Sequence, residues 1–186
     1  PEAFKPVGET EFVAEIASQA ASDCSQAQIS GIIGHANMML GSDVKEVLEL
    51  HVEKGNGLFR GIRHAGGWDS DERVKNAHSH PTPHIYLEDK FQEGLQELSS
   101  LDMVFDTWHY HNQIKDLTKL AKNLPELIIV HDHFGGPLGI GPYEDKREEI
   151  FVQWQEDIHE LSQCNNVYSK LGGLAMPVNG WDWHKR

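Results

Sequence analysis

The sequence predicts an α/β fold, an incomplete (β/α)8 TIM barrel. Three observations carry that expectation. Five apolar runs alternate with amphipathic helical stretches. Each connection is long enough to be a right-handed crossover between parallel strands. No glycine-rich phosphate loop of the GxGxxG or GxxxxGKS/T kind is present, although an open doubly wound sheet usually carries one after its first strand. The chain has 186 residues, whereas a full barrel takes about 250.

Each element follows from its periodicity. Phe12, Val13, Ile16, Ala17 and Ala20 repeat at helical spacing, with Thr10 placed to cap the helix. Residues Gln28 to His35 read as a buried strand. Asp43 to Lys54 returns to helix, with Val44, Val47, Leu48 and His51 on one face and Gly55 as its stop. Leu58 to Arg63 is the next strand. A long polar stretch from Gly66 to about His84 holds two prolines and three histidines. It reads as a solvated loop able to fold over a site as a lid.

Helix resumes near Glu88, with Phe91, Leu95 and Leu98 on one face. Strand Met103–Thr107, helix Ile114–Leu124 and strand Leu127–Val130 follow. A Gly/Pro-rich loop from Phe134 to Tyr143 leads into helix Arg147–Gln163. Its apolar stripe is Ile150, Trp154, Ile158 and Leu161. The last strand is Val167–Leu171. The whole reads as one domain over residues 1–186.

Composition narrows the function. Sixteen basic against 29 acidic residues leave a net charge of −13, which disfavours nucleic acid and anionic membranes as partners. No apolar run reaches the roughly 18 residues of a membrane helix. The two cysteines, Cys24 and Cys164, make neither a disulfide framework nor a cysteine metal site. The charge leaves an anionic small substrate open, and the expectation is a cytoplasmic protein, with homo-oligomers left open. The chain begins at Pro1, so a preceding segment is expected.

Histidine is the anomaly. There are twelve, and three pairs are spaced His-x-His. In a parallel barrel the reacting groups sit at the C-terminal strand ends. Those ends here hold His35, Arg63–His64, Trp108–His109–Tyr110–His111 and His131–Asp132–His133. Imidazoles in such a place ligate a divalent metal that activates water, or hydrogen-bond a carbonyl oxygen directly. His133, His111 and His109 are therefore the candidate catalytic residues. On a strand, His131 and His133 would share a face, so His131 is weighed evenly between core and site. Arg63 and His64, with Trp108 and Tyr110, are candidates for holding substrate. A salt bridge under the rim is the equal alternative for Arg63, and Lys170 is weighed in the same way. Trp181 and Trp183 are candidate pocket aromatics, though such side chains more often pack a core or rim.

At these residues the segments PVGETEFVAEIA, LFRGIRH, FDTWHYHNQI, VHDHFGGPLGIGPY and VYSKLGGLAMP resemble the amidohydrolase-related (amidohydrolase 2) family. Its lactonase group is the nearest resemblance. The resemblance implies a barrel of the metal-dependent hydrolase type that opens lactones with water. It matches His133 and His111 to residues that bind the metal or the substrate carbonyl, and Arg63 to an anion-holding residue. It implies a divalent metal, zinc first, or direct carbonyl binding without one. Two family elements have no counterpart in these residues: the first-strand His-x-His and the aspartate after the eighth strand that serves as general base. The chain thus reads as strands three to seven, truncated at both ends and inactive alone. Its open parallel edges predict poor solubility. The alternatives are a non-catalytic histidine-rich metal-binding protein and a decarboxylase of the same superfamily.

Overall fold

Short apolar runs become strands here because helices on their flanks bury them. The computed structural model describes residues 1–180. The chain divides into two units, Pro1–His64 with Asp89–Asp106, and Ala65–Glu88 with Thr107–Arg186. Strand order follows the sequence.

The first unit contains α1 (Val7–Ala20), β1 (Ile32–Gly34), α2 (Lys45–Lys54), β2 (Phe59–Arg63), α3 (Asp89–Ser100) and all of β3 (Val104–Thr107) but its last residue. Strands β1 and β2 pair in parallel, as do β2 and β3. The core is built from Val47 and Leu48 of α2, Phe59 and Ile62 on the two faces of β2, Phe91, Leu95 and Leu98 of α3, and Phe105 of β3. Fully burying each such side chain contributes about 1.5–3 kcal/mol. Gly61 lies so close to β3 that a Cβ there would collide with the Val104 carbonyl oxygen. Only a residue without a side chain fits at that point.

Two expectations change in this unit. The helix expected from Asp43 opens earlier, as a 3-10 stretch over Met38–Val44 kinked at Gly41 (φ +62°). Asn37 caps it by accepting the Met39 N–H. Thr10 is not a cap, because α1 already starts at Val7. Its hydroxyl is instead buried against Nδ1 of His51 at 2.8 Å. The His51 Nε2 donates to the His35 carbonyl at 3.0 Å.

The second unit contains the long loop with a 3-10 turn at Ile85–Leu87, then α4 (Ile114–Asn123), β4 (Ile129–His131), α5 (Arg147–Leu161) and β5 (Val167–Ser169). Strands β4 and β5 are parallel, with His131 beside Ser169. Just beyond β4, the Asp132 N–H donates to the carbonyl of Thr107, the last residue of β3. Ile114, Leu117 and Leu120 of α4 pack the core with Leu127, Ile129 and Leu161.

The loop after Ala65 is well tied down. Gln113 accepts the N–H groups of Trp68 and Tyr110 and donates to the Gly66 carbonyl. Asp69, nearly buried, accepts from the Tyr143 hydroxyl at 2.7 Å and from Asn112 at 3.0 Å. The Tyr110 hydroxyl caps the Lys75 carbonyl. Among the described residues, no helix is long and apolar enough to cross a membrane.

Candidate functional site

Parallel register decides which strand-end side chains meet. In the first unit Arg63 stands opposite Asp106. Its Nε donates to Asp106 Oδ1 at 2.5 Å, the carboxylate being 1% exposed and the arginine side chain 44%. The arginine expected at a buried mouth is therefore half in solvent and already held by an acid. Asp106 was not singled out from sequence, because the register that brings it opposite Arg63 is written in neither strand alone. His64 is buried, and its Nδ1 accepts the Met38 N–H at 3.2 Å. That places the ring's proton on Nε2 when neutral. His35 lies edge-on to it, with ring centroids 5.6 Å apart, and donates through Nδ1 to the Arg63 carbonyl.

The second unit gathers the remaining candidates. His109 is fully buried beyond the end of β3. Its Nδ1 lies 3.2 Å from the Thr107 hydroxyl and 3.4 Å from that of Tyr86. His131 closes β4, also fully buried, with Nδ1 3.0 Å from its register partner Ser169. The two rings face each other at 5.1 Å between centroids, tilted by 33°. Both Nε2 atoms are buried without a hydrogen-bond partner among the described residues. Burial pushes His109 well below its ordinary value, helped by the charge of His131. Burial likewise lowers His131 to about 4, with His133 adding to it. Both rings are neutral at pH 7, which is the form that binds metals.

His111 is held differently. Its Nδ1 accepts the Leu138 N–H at 3.2 Å, and its ring meets Tyr143 edge-on at 5.1 Å. Burial lowers it to about 4 against the opposing charges of Asp69 and Asp157. With Nδ1 occupied, neutral His111 presents an Nε2–H donor, which suits a carbonyl oxygen better than a metal. Tyr110 is buried with Val74 and Leu138, and Trp108 packs edge-on to it at 5.1 Å. Both act as walls. Trp181 and Trp183 lie outside the described residues.

Beyond His131 the chain leaves the strand, so the alternation that would put His131 and His133 on one face no longer applies. His133 and Phe134 both adopt left-handed backbone, at φ +53° and +57°, followed by Gly135 at +71° and Gly136 at +47°. Two residues with side chains in that region cost about 1–3 kcal/mol each. The His133 ring lies on the backbone of Gly173, where an added Cβ would collide with it. Asp132, fully buried, pairs with Lys170 Nζ at 3.0 Å. A salt bridge under the rim is thus what Lys170 forms.

The donor set can be tested for a metal. Two imidazoles with vacant, buried Nε2 atoms are zinc-type donors, and hydroxyls on their other nitrogens fix the rings as supporting partners of metal ligands do. Among the described residues no group of three or more His, Cys, Asp or Glu is placed to hold an ion. His109 and His131 supply two donors of such a set. His111 and His133, the pair matched from sequence, belong to the same unit.

Known proteins supply the remaining comparison. The amidohydrolase family model matches residues 2–184. Uncharacterized protein y4mH of Sinorhizobium fredii is 26% identical over 178 residues, covering 96% of this chain and 53% of its own. The L-fucono-1,5-lactonase of Burkholderia multivorans is 25% identical over 178 residues, covering 95% of this chain and 51% of its own. The chain spans about half the length of these curated relatives. A crystal structure of an amidohydrolase from B. multivorans with bound HEPES aligns at a TM-score of 0.63 and 22% identity, over 100% of this chain and 62% of that one. One with bound zinc aligns over the same shares at 0.63 and 21%. At such identities they speak for the fold: parallel strands alternating with helices, an incomplete barrel of five strands.

Proposed function

The chain belongs to the amidohydrolase family, and from that premise we propose that the full-length protein is a hydrolase that opens a lactone of a sugar acid or a related cyclic ester. One observation carries the reading: His109 and His131, neutral and fully buried at adjacent strand ends, with both Nε2 atoms vacant. The lactonase among its relatives supports the substrate class, and the zinc in a relative of the same fold supports a metal.

His109 and His131 would hold the ion through Nε2. When bound, zinc polarises a carbonyl and makes its water more acidic. The remaining work falls to the chain's own groups. The Ser169 and Thr107 hydroxyls hold the two rings in place from Nδ1. His111 donates Nε2–H to an oxygen that gains negative charge as water adds to the carbonyl. Collapse then breaks the ring C–O bond, the departing ring oxygen takes up the proton that the attacking water gives up, and a hydroxy acid is left. Asp132 holds Lys170 by charge, beside the turn that carries His133, which is the further candidate for holding the substrate carbonyl. In the first unit, Arg63 is a candidate for receiving an anionic group, with Asp106 orienting it at Nε.

The test uses the full-length protein and a panel of aldonolactones, with acid release followed by pH-stat. Wild type should open at least one of them. His131→Gln and His109→Gln should lower both bound zinc and kcat at least tenfold. A folded wild-type protein that opens no lactone on the panel sinks the reading.

A further inference from the structure

We propose that Trp154 is a positioning residue for His133, acting through the carbonyl of Phe134. The proposal rests on the reading of His133 as part of the reaction site. Sequence periodicity makes Trp154 one member of the apolar stripe of α5, and its ring also stacks on the exposed Phe151, with centroids 5.8 Å apart and planes 27° from parallel. The indole does something further. Its single N–H donates to the Phe134 carbonyl at 2.7 Å.

That carbonyl belongs to the second of two successive left-handed residues that carry side chains. Such residues relax by rotating the peptides on either side, and rotation would swing the Phe134 carbonyl away. A donor fixed in the middle of a 15-residue helix opposes that swing. The backbone at His133 is therefore held from α5, while its ring lies on the Gly173 backbone. Hydrogen bonds Gly135 N–H to Asp132 and Gly136 N–H to His133 close the turn locally, but neither engages the Phe134 carbonyl. Trp154 does, across twenty residues of sequence.

An isosteric change separates this role from packing. In the full-length protein, Trp154 is replaced by its benzothiophene analogue, which keeps the bicyclic shape and exchanges N–H for sulfur. Trp154→Phe is made alongside, in case the analogue incorporates poorly. The readouts are kcat and KM on a lactone that wild type opens, the melting temperature, and the His133 ring resonances in spectra of 15N-histidine protein, assigned by their loss in His133→Asn. The expected result is a kcat about tenfold lower or more, since small displacements of a reacting group are costly. KM should stay within about twofold, melting should change little in the analogue, and the His133 resonances should move. Unchanged kcat and unchanged resonances would overturn the proposal, as would a rise in KM alone. Should wild type open no lactone, the proposed reaction fails, while the resonances still decide whether Trp154 positions His133.

Discussion

At the scale of single residues, buried polar groups in this chain are matched by partners far away in sequence. Thr10 and His51 are one such pair. Each is essentially inaccessible, and the hydroxyl supplies the hydrogen bond at His51 Nδ1. Thr10→Val keeps the shape and leaves a buried nitrogen unpaired. It should cost about 1–3 kcal/mol, read as a lower urea midpoint at constant slope; an unchanged midpoint would show the bond to be worth nothing net. Sequence alone placed Thr10 at a helix start, because local preference for caps is legible and a partner 41 residues on is not. The same limit hid Asp106 behind Arg63 and Ser169 behind His131. The histidines themselves were legible as a group, since four strand ends in a row carry them. Which ring nitrogen is spent on which partner was not, and that is what distinguishes His111, held by a backbone N–H, from His131, held by a hydroxyl.

At the scale of elements, all five strands and the helices between them were readable from apolar periodicity. Their ends were not. The first strand was expected over Gln28–His35 and pairs only at Ile32–Gly34, because ladder hydrogen bonds depend on the neighbour's register. The 3-10 stretch at Met38–Val44 and the left-handed run at His133–Gly136 had no periodic signal, being set by packing and by Phe134's bond to Trp154. Register also makes one glycine indispensable. A methyl at Gly61 would drive into the Val104 carbonyl oxygen, and no rotamer relieves a clash with backbone. Gly61→Ala should separate β2 from β3 locally and cost about 3 kcal/mol, the upper end for overpacking. Faster amide exchange confined to these strands would be the mark; wild-type exchange would refute the assigned register.

At the scale of the whole molecule, histidine sets how stability depends on pH. His51, His109, His111 and His131 are all lowered, burial being the main cause in each. Above their ordinary value near 6.5, neither the folded nor the unfolded chain binds these protons, and the stability they permit is fully present. As pH falls below 6.5, the unfolded chain takes up protons that the folded chain refuses, so stability drains away. For His111 and His131 the loss continues to about 4, where the folded rings also protonate. The melting temperature should therefore fall steadily from pH 7 to pH 4.5; a flat or rising curve would contradict the burial of these rings.

The long loop after Ala65 also has a practical meaning. It was read as a solvated loop able to fold over a site, yet Gln113 and Tyr143 hold its start at Gly66 and Asp69, Tyr110 holds Lys75, Ser79 bonds the Ala65 carbonyl and Asp116 holds His84. A protease must draw some ten residues of extended chain into its cleft, and a stitched segment does not yield them without local unfolding. Arg73 and Lys75, both on the surface, should thus be poor trypsin sites in the native protein. For the same reason a substrate would meet this loop as fixed masonry, so that turnover in glycerol or sucrose should slow no more than diffusion itself requires.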